Sequence, residues 1–367
     1  MVEWKKLGEV CTKITDGSHN PPIGVDYSLN RMISSQNVYN GHIDFSSVRY
    51  LSDADFEKEN KRTNAKKGDV VLTIVGTIGR CCVLDGNEGN IAFQRSVALL
   101  KPSNAIKSSF LMHYLINNNK HLNSQSNGGA QKGIYLKQLE RILIPIPSLS
   151  EQNRIVGILD TFTASIDNLK EQIAHRRKQY EYYRDQLLDL EGKEGAEMKT
   201  LETIAEIGTG SSNTQDELEI GKYPFFVRSQ IVRYKDEYEF DETAIITSGD
   251  GVGVGKVLHY YEGKYALHQR AYRIHIFVDN FIPKFLFYFM QKDFYNYIMS
   301  NAFAASVTSV RKPMLQKYPI PVPSLSEQQR IVSILDTFEA SIQNLEAQLE
   351  QRQKQYEYYR NKLLTFE

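Results

Sequence analysis

Apolar positions along the chain follow two different periods. In one stretch they recur at alternating steps of four and three: Ile155, Leu159, Phe162, Ile166, Leu169, Ile173, then Arg176, Tyr180, Tyr183, Leu187 and Leu190. The same spacing returns at Ile331, Leu335, Phe338, Ile342, Leu345, Leu349, Arg352, Tyr356, Tyr359, Leu363 and Phe366. Charged flanks, no proline and a single glycine (Gly157) predict one continuous coiled-coil helix in each stretch. Ser148 with Glu151, and Ser324 with Glu327, supply the S-x-x-E capping box that starts a helix, and Pro145 and Pro147 end a short apolar strand just before the first. Arg176 and Arg352 interrupt both seams at equivalent positions, where an arginine either fixes register or snorkels out of a loose section.

Outside these stretches the pattern is mixed. Short β-rich runs (Val70 to Val75, Ala244 to Thr247), Gly-rich turns and amphipathic helices (Ser109 to Asn118, Pro283 to Met299) predict an α+β domain ahead of each helix.

The two helical stretches are copies. Residues 144 to 188 and 320 to 364, a shift of 176, are identical at 32 of 45 positions by direct count. The segments ahead repeat weakly: Lys5, Leu7 and Ser35-Gln36 map onto Lys199, Leu201 and Ser229-Gln230 at a shift of 194, and Gly79-Arg80 maps onto Gly255-Lys256 at 176. The first head therefore carries about 18 extra residues between Asn37 and Gly79, the difference of the two shifts. The predicted plan is a first head at 1–147, a helical region at 148–197, a second head at 198–323 and a helical region at 324–367. With a globular unit between the helices, the simplest packing is an antiparallel pair with a pseudo-twofold internal repeat. Forty helical residues make a rod of ~60 Å, which along B-DNA would separate two attachment points by at most ~18 base pairs.

Charge refines this plan. The chain has 44 basic and 44 acidic residues, which excludes a binder that depends on bulk positive charge. Counted by segment, residues 1–147 hold 18 basic and 13 acidic groups, 148–197 hold 7 and 10, 198–323 hold 14 of each, and 324–367 hold 5 and 7. The second head is itself divided, with 5 basic against 11 acidic groups in 198–250 and 9 against 3 in 251–323. No run of eighteen apolar residues and no signal-peptide pattern is present, so a cytoplasmic protein without a membrane span is expected. Cys11, Cys81 and Cys82 form no CxxC pair and are expected to be reduced and structural.

Catalytic patterns are absent on close reading. His19-Asn20-Pro21-Pro22-Ile23 lacks the aromatic fourth residue of an adenine-methyltransferase loop. Gly249 to Val257 lacks the Ser/Thr of a phosphate loop and reads as a hairpin loop instead. The eight histidines show neither metal-ligand spacing nor a nucleophile partnership. A set of side chains suited to DNA is also present, the alternative for any single one of them being solvated surface charge. Arg and Gln match guanine and adenine edges, and Lys matches phosphates. The candidates are Gln36, Arg80, Gln94, Arg95 and Lys132 in the first head, and Arg228, Gln230, Lys256, Gln269, Arg270 and Arg311 in the second.

Duplicated Pro-Ser-Leu-Ser-Glu-Gln helices, each ending Gln-Tyr-Glu-Tyr-Tyr-Arg and each preceded by a divergent head, resemble the specificity (S) subunit of type I restriction-modification systems. The resemblance covers the whole chain. Thr15-Asp16-Gly17-Ser18-His19-Asn20-Pro21-Pro22 is similar to a motif of that family's target-recognition domains, which adds Ser18 and His19 to the DNA-contacting candidates. The second head has Gly208-Thr209-Gly210-Ser211 instead, so its reading mode transfers less directly. The resemblance implies a non-catalytic subunit of a DNA adenine methyltransferase and type I restriction endonuclease. Its two target-recognition domains would bind the halves of a bipartite double-stranded DNA target. It further implies two modification subunits carrying S-adenosylmethionine and ATP-dependent restriction subunits, with ATP and Mg also on partners and no cofactor in this chain. Tyr182 and Tyr358 lie off the seam and are the candidate partner contacts, the alternative being helix packing at the domain junction. The alternative from the residues alone is a coiled-coil scaffold with two protein-binding heads.

Overall fold

The computed structural model describes residues 2–126, 132–192, 195–251, 253–301 and 309–366. The chain divides into two compact units, residues 1–169 with 348–367 and residues 170–347. Each unit therefore combines one head with part of both long helices.

Both helices form as the periodicity predicts, Leu149–Leu187 and Leu325–Leu363. Their first turns are capped by Ser148 and Ser324, whose hydroxyls accept the amides of Glu151 and Glu327 at 3.3 Å. Glu151 turns outward to Arg154, and Glu327 pairs in the same way with Arg330. The glutamine that follows each glutamate has the larger structural role. Gln152 is fully buried: its Nε2 donates to the carbonyls of Pro147 (3.0 Å) and Ala105 (3.1 Å), and its Oε1 accepts the Lys107 amide (2.8 Å). Gln328 makes the same three bonds to Pro323 (2.9 Å), Asn280 (3.3 Å) and the Ile282 amide (2.8 Å). The predicted seam outruns the first helix, which ends at Leu187. Leu188 and Leu190 continue into the core of the second unit without helical geometry.

The helices contact each other antiparallel within each unit. In the first, Phe162 stacks on Tyr359 at 5.4 Å, while Ile155 and Leu159 share a core with Leu364. In the second, Tyr183 stacks on Phe338 at 5.4 Å and Arg177 pairs with Glu346 at 2.5 Å. The seam arginines take part in the repeat: Arg352 lies 5.7 Å over Phe162, and Arg176 lies 5.8 Å over Phe338. Each phenylalanine is thus packed by an arginine and a tyrosine of the other helix, which favours a register role for both arginines. Truncating Phe162 or Phe338 to Ala should cost about 2 kcal/mol by denaturant unfolding, less than a fully buried ring because each is partly exposed. An unchanged midpoint would show that the packing contributes nothing.

The heads repeat in topology more than in sequence. Glu3–Lys6 pairs antiparallel with Leu143–Ile146, and Glu197–Thr200 pairs likewise with Pro319–Val322. In the second head a six-stranded sheet includes the long strand Leu258–Leu267, antiparallel to Phe240–Ser248 and parallel to Tyr223–Phe226. In the first head these two roles fall to separate strands. Cys81–Val83 pairs antiparallel with Val70–Thr73, and Asn90–Phe93 pairs parallel with Asn30–Ile33. The interruption at residues 84–89 splits the sheet into pieces of four and three strands. The helix Asp53–Thr63 lies within the span to which the first head's extra residues map. The three cysteines are buried, and burial pushes the Cys11 and Cys82 thiols up to about 12, which makes them inert. Among the described residues no helix is long and apolar enough to cross a membrane.

Candidate nucleic-acid interface

In the first head, loops from five parts of the chain meet at one rim. Ser18 follows the strand Cys11–Asp16. Its amide donates to the Phe93 carbonyl at 2.7 Å, and its own carbonyl accepts the Arg95 amide at 2.8 Å. The Gln94 amide donates to Ile33 (2.9 Å), Ser35 N to Ser96 Oγ (3.1 Å), Ile74 N to the Ser96 carbonyl (2.9 Å) and Gly76 N to the Lys132 carbonyl (3.2 Å). These bonds bring Ser18, His19, Gln36, Gln94, Arg95 and Lys132 together. His19, Gln36, Arg95 and Lys132 are exposed, whereas Ser18 and Gln94 are half-buried. His19 Nε2 lies 2.8 Å from Asp16 Oδ2, and the other oxygen of Asp16 accepts from Arg62 of the inserted helix. Arg80 is turned aside, with its guanidinium 4.6 Å over the ring of Tyr39.

The second head builds the same frame from different letters. Ser212 N donates to the Leu267 carbonyl (3.3 Å), Gln269 N to the Ser212 carbonyl (2.9 Å) and His268 N to the Phe226 carbonyl (3.0 Å). Ser212 thus stands where Ser18 does, His268 where Gln94 does, and Gln269 where Arg95 does. The two Gln-Arg dipeptides that look alike in sequence are out of register by one residue. Glycine is required in both frames for lack of space. A Cβ on Gly17 would lie 1.9 Å from the Phe93 oxygen, and one on Gly210 would lie 1.8 Å from the Leu267 oxygen. The Gly-Ser element that appears to be missing from the second head is therefore present, with Ser211 as an extra residue between the two. That Gly-x-Ser spacing was the available sequence signal.

Arg228, Gln230, Lys256, Gln269, Arg270 and Arg311 are all exposed. Gly249 to Val257 connects the antiparallel strands Phe240–Ser248 and Leu258–Leu267, as a hairpin loop should, with Val252 outside the described residues. Within that loop Asp250 Oδ1 accepts from Arg228 at 2.7 Å and Oδ2 from Arg270 at 3.1 Å. Partial burial works to raise the Asp250 carboxyl, but the hydrogen bonds and charges of Arg228 and Arg270 outweigh it and hold the group below the usual carboxylate value. Lys256 Nζ lies 5.1 Å over Tyr295. The Val310 amide donates to the Gly249 carbonyl at 2.8 Å, which sets the neighbouring Arg311 beside the same loop. The pairing of Arg62 with Asp16 and that of Asp250 with Arg228 and Arg270 were not apparent from sequence, because these partners lie 20 to 46 residues apart in the chain.

The off-seam tyrosines are exposed, Tyr182 by 58% and Tyr358 by 60%, each edge-on to its neighbour at 5.3 Å. Among the described residues no group of three or more His, Cys, Asp or Glu side chains could hold a metal ion.

Residues 1–175 and 193–352 match the family model of the type I restriction modification DNA specificity domain. The chain is 31% identical over 278 residues to the Escherichia coli type I restriction enzyme EcoR124I/EcoR124II specificity subunit, covering 67% of this chain and 68% of that protein. Its fold matches the crystal structure of the S subunit of a type I restriction-modification system from M. genitalium, with a TM-score of 0.67, 15% identity and coverage of 100% and 97%. A chain from a structural study of complex assembly in the type I system matches with a TM-score of 0.61, 16% identity and coverage of 99% and 97%. With the family model matched over both heads and most of both long helices, the chain belongs to the type I restriction-modification DNA specificity family, as a specificity subunit.

Proposed function

We propose that the two heads each read one half of a bipartite double-stranded DNA target through these loop rims, while the long helices organise partner subunits. The observation that carries this reading is the repeated frame. Ser18 and Ser212 close on equivalent carbonyls, yet the exposed side chains around them differ: His19, Gln36, Arg95 and Lys132 in one head, and Arg228, Gln230, Gln269 and Arg270 in the other. A constant backbone that carries different donors suits two different half-sites. Protein-binding heads on a scaffold would also use exposed loops, but family membership favours DNA.

In this reading two modification subunits carry S-adenosylmethionine and methylate adenine at N6, and restriction subunits carry ATP and Mg. Tyr182 and Tyr358 contribute to docking, and the complex works in the cytoplasm, where the DNA is. The neutral net charge suits a chain that binds weakly alone, because much of the phosphate neutralisation then comes from partners closing around the duplex.

Methylation mapping would define the target, and competition binding by the complex would test the reading. Arg95→Ala should relax only the first head's half-site, and Arg270→Ala only the second's, each by roughly 1 to 3 kcal/mol. Equal loss at both halves would contradict separate heads, and binding without any sequence preference would refute the proposal.

A further inference from the structure

Asp250 is an acid placed among the basic candidates of the second head. Its backbone is fixed on both sides: the Ser248 hydroxyl donates to its carbonyl at 2.7 Å, and it forms a β-bridge with Ser309. Its side chain is 22% exposed, while those of Arg228 and Arg270 are 40% and 62% exposed. The carboxylate therefore sits behind two guanidinium groups that come from separate loops, one after the strand Tyr223–Phe226 and one in the turn before Ala271–Ile276. Each arginine gives one N–H to one carboxylate oxygen and keeps its other donors for a ligand.

We propose that Asp250 is a specificity-determining residue: it aims Arg228 and Arg270 at base edges and keeps that pair from serving as a phosphate site. The inference rests on the reading that this head binds DNA. Two converging guanidiniums with no counter-charge would make a strong, sequence-blind phosphate clamp. A fixed carboxylate between them lowers the local charge by one and repels a phosphate seeking both arginines. Neutral acceptors such as guanine O6 and N7 are repelled far less and can still accept from the outward donors. The first head has a similar device, in which Asp16 holds His19 and Arg62.

The test is Asp250→Asn in the full chain assembled with its modification subunits. Binding is measured at several salt concentrations to duplexes carrying both half-sites, or with either half scrambled. Affinity for the duplex with the second half scrambled should rise several-fold, and the slope of log K against log salt should steepen by about one unit. Discrimination at the second half-site should fall roughly tenfold, the worth of one good base contact, with the first unchanged as an internal control. Uniform loss of affinity at an unchanged slope, or unaltered discrimination, would overturn the proposal. Should the variant fail to assemble, Arg270→Lys keeps Asp250 and the charge but removes the fork. It should retain affinity for scrambled DNA while losing second-half discrimination, and proportional loss of both would overturn the proposal. Absence of any sequence-dependent binding by the wild-type complex would instead be a failure of the DNA reading itself.

Discussion

Gly17→Ala should abolish discrimination at the half-site read by the first head and leave the other intact, and Gly210→Ala should do the converse. Ordinary contact for a Cβ begins near 3.4 Å, whereas these would fall 1.9 and 1.8 Å from carbonyl oxygens of the facing loop. Backbone must therefore move by more than 1 Å at either site. In the first head that motion separates the Ser18 amide from Phe93 and the Ser18 carbonyl from the Arg95 amide, the two bonds that position both residues. Bidentate base contacts do not survive such a shift, and with several side chains displaced together the loss should reach roughly 2 to 4 kcal/mol of discrimination. The heads should still fold, because the loop lies at the rim and the strands beneath keep their own ladders. Competition binding with each half-site scrambled in turn is the measurement. Equal weakening at both halves would mean that the loop supports the whole molecule and not one reading surface.

The long helices were legible because a heptad pattern is local: each seam residue is read against neighbours three or four positions away. Ser148 and Ser324 were legible as caps for the same reason. The frame of the second head was not, because Ser211 displaces Ser212 from the expected spacing and the Gln-Arg dipeptides then align one residue out of register. Nor could sequence show that one long strand of the second head is split in the first, since the pairing spans dozens of residues. The uneven charge of the second head was visible, but its meaning was not. Its acidic front and basic back meet in the fold: Glu206 and Glu242 pair with Arg273 across neighbouring strands, and Asp250 pairs with Arg270 between loops. What looked like separate acidic and basic regions is partly two sides of adjacent strands.

Replacing Gln328 by Ala should destabilise the second unit by roughly 2 to 4 kcal/mol, and Gln152→Ala should do the same to the first, because each truncation empties a fully buried side-chain site and strands one buried carbonyl and two half-buried backbone groups, the buried one at about 1 to 3 kcal/mol and the others at less. The groups are the carbonyls of Pro323 and Asn280 with the Ile282 amide, and those of Pro147 and Ala105 with the Lys107 amide. Proline just before the cap sharpens the need: the carbonyls of Pro147 and Pro323 are bonded to these side chains at the point where strand gives way to helix. Gln→Glu at either position separates hydrogen bonding from volume. The carboxylate still accepts one amide but faces two carbonyls without a donor, so it should cost at least as much as Ala although the side chain is nearly isosteric. Denaturant unfolding of the full chain, followed for each unit, measures the effect. A loss below 1 kcal/mol in both variants of one site would show that water satisfies these groups as well as the amide does, and that the repeated glutamine is not what joins each helix to its head.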